Sequence, residues 1–198
     1  MFTTPRQEMD PQLQTFCEDF VFRNFNDQAQ KMQYAVLLLF TSRDLQNLQR
    51  FRCLPDLANV TNRNRPYYPY FGYVNYIVAN YNAERDFHAE ETIGNRFKEV
   101  LSGFRERNRA DPAAMLLYTY YYPCWECAEK IRSRLDIGVQ LHLVYSEYSA
   151  KWTDRATVQT IFDQSFVHMF RVHNAIHRPP EESSSSDEET SEEEEGAW

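Results

Sequence analysis

Glycine is scarce in this sequence, which has 5 glycines among 198 residues. Loops that cradle phosphate groups on backbone N–H groups need several closely spaced glycines, and the sequence has no such cluster. Long apolar runs are missing as well, because the longest, at 35–40, is far shorter than the roughly 20 residues that cross a bilayer. We therefore expect neither a glycine-rich phosphate loop nor a membrane partner.

Cysteine is also rare. The chain has 4 cysteines, two of them close together at 124 and 127, which does not make a disulfide framework. The N-terminus lacks a basic segment followed by an apolar run, so the sequence predicts no secretory signal. Both features favour a reducing intracellular compartment, cytoplasmic or nuclear, in which thiols stay available for a metal.

The net charge of −8 is concentrated at one end of the chain. The segment 181–198 holds nine of the 29 acidic residues and no Lys or Arg, so the rest of the chain has 20 acids against 21 bases. We predict one folded domain over 1–178 and a disordered acidic Ser/Glu-rich tail over 179–198. The tail resembles acidophilic kinase sites, and it could mimic nucleic acid or meet a protein partner.

Two short motifs lie at predicted helix starts. One is His-Ala-Glu at 88–90 and the other is Pro-Cys-x-x-Cys at 123–127. Apolar residues at three-to-four spacing predict a helix over 88–104, which puts the first motif in its first turn. Pro123 suits the opening of a second helix, whose first turn then holds both thiols. Two helix N-termini could therefore meet over one cation.

The donor atoms of these motifs favour a zinc ion of the catalytic type. His88, Cys124 and Cys127 would fill three positions of a tetrahedral zinc and leave the fourth to water. Glu90 lies two residues from the histidine, so its carboxylate can reach that water without ligating the metal. We predict Glu90 as the catalytic residue.

Two other interpretations of the cysteines remain open, a redox pair and a structural zinc site. A redox pair would not require His-x-Glu at the start of the preceding helix. A structural site would need a fourth ligand, and no remaining residue shows partner spacing; the leftover residues are Cys17, Cys53, His142, His168, His173 and His177.

Together, His-x-Glu and Pro-Cys-x-x-Cys resemble the signature of the cytidine deaminase superfamily, and within it the AID/APOBEC-like enzymes that act on polynucleotides. The resemblance implies zinc as cofactor and hydrolysis of cytosine to uracil in single-stranded DNA or RNA. Deaminases of dCMP also use His-Ala-Glu, so a free nucleotide is the alternative substrate. A third interpretation is a catalytically inactive module that binds nucleic acid or protein.

The remaining pattern predicts an α/β fold. Helices are predicted at 11–25, 88–104, from 124 and at 153–163, and strands at 34–41, 71–81, 114–121, 139–145 and 165–173. The last segment could also continue the preceding helix. This order resembles the three-layer cytidine-deaminase-like fold, a mixed five-stranded sheet flanked by helices. The resemblance implies that strands 4 and 5 are parallel, and the helical connection at 153–163 agrees, since parallel strands need a crossover.

Aromatic and basic residues suggest a polymeric substrate. Tyr145, Tyr148 and Trp152 lie in the segment 145–152, which begins at the end of the fourth predicted strand, where similar enzymes place a loop that contacts the base beside the target. Stacking on such rings tolerates any base. Arginines interleave with tyrosines at 43–70, and others follow the first zinc helix at 105–109. Tyrosines in strands are more often core residues, and arginines in loops are usually solvated.

The pocket wall departs from the resemblance. Polynucleotide deaminases of this type usually carry Ser-Trp-Ser or a close variant before Pro-Cys, whereas this chain has three tyrosines ending at Tyr122. We expect Tyr122 to line the substrate pocket.

Overall fold

The computed structural model describes residues 11–25, 34–48, 67–71, 75–80, 88–147 and 154–172. Eleven elements lie in these ranges. In chain order they are α1 (Pro11–Phe25), β1 (Tyr34–Phe40), α2 (Ser42–Leu45), β2 (Tyr67–Phe71), β3 (Asn75–Asn80), α3 (Ala89–Asn108), β4 (Ala114–Tyr121), α4 (Trp125–Leu135), β5 (Leu141–Glu147), α5 (Arg155–Asp163) and β6 (Val167–Arg171). None of the helices in these ranges combines the length and the apolar character that a membrane crossing requires.

All six strands belong to one mixed sheet with the order β2-β3-β1-β4-β5-β6. The pairs from β2 to β4 are antiparallel, whereas β4 pairs with β5, and β5 with β6, in parallel. Helices α4 and α5 supply the crossovers that parallel neighbours need. The predicted α/β class is confirmed, as is the parallel pairing of the last two predicted strands, which are β5 and β6.

Alternation along the central strand separates the two faces of the sheet. Val36 and Leu38 pack with α1, whose buried side chains are Leu13, Phe16, Cys17 and Phe20. Leu37 and Leu39 point the other way, into a larger cluster with α3, α4 and α5. Since every residue of β1 is buried, the strand is apolar on both faces. The result is three layers, with the motif-bearing helices on one face.

The sheet has one strand more than the five expected. The sequence assigned a single strand to 71–81 and a loop before it, because Pro69 cannot donate to a strand ladder. In the structure, Tyr67–Phe71 forms β2, antiparallel to β3, and residues 72–74 lie outside the described ranges. Strand β2 is at one edge of the sheet order, a position where proline is tolerated.

The end of α3 differs from the predicted pattern, whereas the last predicted strand is confirmed as a strand. Helix α3 continues to Asn108, four residues past its last buried residue, Phe104, and ends at Arg109 in the left-handed conformation with φ 53°. Apolar spacing cannot show this last turn, because its residues are solvated. The segment at 167–171 is a strand and not a continuation of α5.

Candidate metal centre

Helix α3 begins at the first motif. His88 is its N-cap with φ −66° and ψ 152°, and Glu90 lies in the first turn. The His88 side chain makes no capping hydrogen bond, and its imidazole lies against the start of α4.

Helix α4 begins inside the second motif. Cys124 is its N-cap, and the Cys124 sulfur accepts from the backbone N–H of Cys127 at 3.5 Å. Pro123 therefore precedes the cap and does not open the helix as predicted. A sulfur at this position carries negative charge favourably, since unpaired N–H groups point at it.

The three predicted ligands converge. The Nδ1 atom of His88 lies 3.3 Å from the Cys127 sulfur and 3.5 Å from the Cys124 sulfur, and the three donor atoms lie within 4.8 Å of one another. Standard Zn–N and Zn–S lengths in a tetrahedron place such atoms about 3.6 Å apart. The donor set therefore fits zinc in both chemistry and spacing, while the ligand role itself stays a prediction.

The pKa values of the two thiols are shifted in opposite directions. A hydrogen bond from Cys127, helped by His88 and by the Cys127 N–H, lowers the pKa of Cys124 to about 4 against the opposing effect of burial. The same thiol–thiol bond, together with burial, raises the pKa of Cys127. The sulfur of Cys124 therefore ionises more readily than the sulfur of Cys127.

Glu90 is buried at the same helix start, with 2% of its surface exposed. Burial raises its pKa, although a hydrogen bond from Thr119 works in the opposite direction. The Thr119 hydroxyl donates to Oε1 at 2.5 Å, whereas Oε2 has no hydrogen-bond partner among the described residues. Burying a carboxylate oxygen without a hydrogen-bond partner costs free energy of folding. Such an oxygen therefore indicates a group that binds a ligand.

The predicted substrate residues fall into two groups. Tyr122 and Tyr145 are both buried, and their rings pack edge to face with centroids 4.9 Å apart and planes at 87°. Tyr145 belongs to β5 itself and not to the loop after it. Tyr148 and Trp152 lie outside the described residues. Substrate contact by any of the four stays a prediction.

Two residues of the site region were not predicted. Thr119 lies in β4 and contacts Glu90, and Trp125 is the first residue of α4, with 52% of its surface exposed. The signal for Trp125 was its place between the two cysteines of the motif. Thr119 gave no signal in the sequence, because its partner Glu90 is distant in the chain.

No family model matches the sequence, and no curated protein matches it. Among solved structures, the chain is similar to the dCMP deaminase from the cyanophage S-TIM5, which was crystallised with dCMP and dUMP. The two share 12% identity and a TM-score of 0.35, over 83% of this chain and 100% of that one. These values are too low to transfer a fold or a function, so both rest on the chain's own geometry.

Proposed function

We propose that this chain is a zinc-dependent deaminase that hydrolyses cytosine to uracil. The supporting observation is the convergence of one imidazole and two sulfurs beside a buried carboxyl group, Glu90, one of whose oxygens has no partner within the described part of the chain. A structural zinc site or a redox pair has no use for such a carboxyl group. Hydrolysis of an amine needs one, because protons must move from water to the base and to the leaving group.

His88, Cys124 and Cys127 would hold the zinc ion. When bound, zinc supplies a water whose pKa is lowered towards neutrality and which is positioned for attack. Glu90 takes a proton from the attacking water at Oε2 and gives it to N3 of cytosine as the oxygen adds to C4. Glu90 then takes the remaining proton from the oxygen that has added to C4 and gives it to the departing amine, so ammonia leaves and uracil remains. Burial raises the pKa of Glu90, which makes its carboxylate a better proton acceptor than an exposed one.

We further propose that the cytosine is part of single-stranded DNA or RNA. The exposed indole of Trp125 lies directly after the ligand Cys124, where it could stack on a neighbouring base. The parallel β5–β6 pair agrees with the AID/APOBEC-like resemblance, in which these strands do not form a hairpin. The arginines at 105–109 contribute little, because they lie at the far end of α3, roughly 28 Å from its N-terminus.

A free cytosine nucleotide such as dCMP is the second candidate substrate. The observation that favours it is the inward packing of Tyr145 against Tyr122. A buried tyrosine pair lines a closed pocket better than it stacks on an extended strand.

A panel of four substrates separates these candidates. Single-stranded DNA, single-stranded RNA, dCMP and cytidine are each incubated with the zinc-loaded full chain, and uracil is quantified by mass spectrometry. We expect kcat/KM for at least one polymer to exceed that for dCMP and cytidine. A preference for dCMP would favour the second candidate, and no uracil from any substrate would refute the deaminase proposal.

A further inference from the structure

Thr119 is a fully buried polar residue on the face of the sheet that carries the candidate metal centre. Met115 and Leu117, which precede it on this face of β4, belong to the apolar cluster under α3 and α4. Thr119 pairs in register with Ala35 on one side and Tyr145 on the other, so its backbone is fixed by both neighbouring strands. A hydroxyl at this position is costly unless it is hydrogen-bonded.

The hydroxyl contacts two oxygens. Its Oγ1 lies 2.5 Å from Glu90 Oε1 and 2.9 Å from the backbone carbonyl of Tyr121. A threonine hydroxyl has one proton and can also accept, whereas a carbonyl only accepts. Thr119 can donate to Oε1 when Glu90 is ionised, and it can still donate to Oε1 when Glu90 carries its proton on Oε2, since Oε1 remains an acceptor. The contact therefore persists while protons pass through the carboxyl group.

This contact distinguishes the two oxygens of Glu90. Oε1 is tied to the rigid centre of the sheet, and Oε2 is left without a partner among the residues that the structure describes. A glutamate side chain has three rotatable bonds, so a carboxyl group held only by its own helix could swing away from the reacting atoms. A misplacement of about 1 Å can cost roughly 100-fold in rate.

We propose that Thr119 is a positioning residue, which anchors Oε1 of Glu90 so that Oε2 faces the water and the base. The inference rests on the proposed deaminase function and adds to it a residue outside both sequence motifs. The competing explanation is that Thr119 only satisfies a buried carboxyl group and stabilises the fold.

Substitutions that remove only the hydroxyl decide between these explanations. Thr119→Val keeps the shape of the side chain and removes the hydroxyl, and Thr119→Ser keeps the hydroxyl. We expect Val to lower kcat by about 10- to 100-fold with KM changed less than about threefold and zinc content unchanged. Ser should restore kcat to within about threefold of the wild type.

Ser146→Ala is the matched control. Ser146 is also fully buried, and its hydroxyl is hydrogen-bonded to Tyr118 at 2.9 Å, but Tyr118 belongs to the cluster on the opposite face of the sheet. This variant loses one buried hydroxyl contact without touching Glu90. We expect it to lower Tm by an amount similar to Thr119→Val while kcat stays within about twofold.

The outcomes keep the two proposals apart. An active wild type with a Thr119→Val variant of equal kcat would overturn the positioning role alone, as would Val and Ser variants with equal losses. If Val does not fold, the pair Thr119→Ala and Thr119→Ser answers the same question, because both lack the methyl group and differ in the hydroxyl. A zinc-loaded wild type that is inactive on every substrate would overturn the deaminase function, and the positioning role with it.

Discussion

Trp125 immediately follows a predicted zinc ligand and exposes half of its surface. Its role in substrate binding can therefore be tested by a single substitution. Base stacking on an aromatic ring is worth roughly 1–3 kcal/mol. We expect Trp125→Ala to raise KM for a single-stranded oligonucleotide by about 5- to 100-fold and to leave kcat/KM for dCMP within about twofold. Steady-state kinetics on both substrates measures the difference.

Leu45→Ala is the control for this substitution. Leu45 is the other large apolar side chain exposed among the described residues, and it follows the end of β1 that pairs with the start of β4. Cys124 follows the opposite end of β4. Equal losses of affinity in both variants, or a Trp125→Ala variant without any change in KM, would remove Trp125 from substrate binding.

Residue identities at the centre could be predicted because their chemistry is specific. Few kinds of site combine an imidazole, two sulfurs and a nearby carboxylate at helix starts. His88 and Glu90 could therefore be named from the sequence. Thr119 could not, since a strand threonine has many roles until the fold brings Glu90 within 2.5 Å of it. Tyr145 ends the predicted strand at 139–145, whereas β5 continues for two more residues, to Glu147, which the apolar alternation does not show.

At the scale of elements, the N-terminus of α4 combines a cap with a predicted ligand in one residue, Cys124. Serine is a good N-cap but a poor zinc ligand. We expect Cys124→Ser to keep the helix content seen by circular dichroism while its zinc falls from about one ion per chain to near zero. Zinc is measured by atomic absorption after dialysis.

Thermal melting separates the ligand from the cap. With excess chelator, the variant and the wild type should melt within a few degrees of each other, because both helices are capped. With zinc, only the wild type should gain Tm, since binding to the folded state alone adds stability. A Cys124→Ser chain that retains one tightly bound zinc would contradict the predicted ligand set.

The parallel pair β5–β6 carries two adjacent histidines. His142 and His168 lie opposite each other in register, and burial followed by the neighbouring His168 lowers the pKa of His142 to about 4. In the unfolded chain this pKa is near 6.5, so below that pH the unfolded state binds a proton that the folded state does not. Stability contributed by His142 is therefore full above pH 6.5 and declines as the pH falls towards 4, by roughly 3 kcal/mol.

Replacing the imidazole tests this dependence. The rings of His142 and Phe170 stack with their centroids 6.2 Å apart. His142→Phe therefore keeps an aromatic ring at this position and removes the titrating group. We expect the free energy of unfolding, measured with urea at pH 7, 6, 5 and 4.5, to fall less with decreasing pH for the variant than for the wild type. Parallel pH profiles for the two chains would show that His142 does not contribute.

Elements with continuous or alternating apolar residues could be predicted, and those whose form depends on neighbours could not. Helix α1 and strands β1 and β4 lie where the pattern put them, because their buried faces fix both period and length. Strand β2 was missed because Pro69 argues against a strand unless the strand lies at an edge, and edge position is a property of the whole sheet.

At the scale of the whole molecule, charge is divided between a nearly neutral chain and an acidic segment at 181–198. If this segment competes with nucleic acid for basic side chains, its removal should tighten binding of a single-stranded oligonucleotide at low salt. The gain should shrink at 0.3 M salt, because screening shortens the range of the repulsion. Fluorescence anisotropy measures both affinities.

The control for this deletion is a tail of the same length in which the acidic residues become Gln or Asn. It should bind as tightly as the deleted chain if charge is responsible. An affinity that is unchanged at both salt concentrations would contradict autoinhibition and leave the tail to a protein partner.

The most direct test of the account compares the turnover of the wild type with that of Glu90→Gln. Both proteins are used at equal, measured zinc content. Uracil formation from the preferred substrate of the wild type is followed for both. The account predicts that the variant keeps its zinc and loses at least about 100-fold in kcat, because the proton carrier is gone. A Glu90→Gln variant with the same zinc content and the wild-type rate would contradict it.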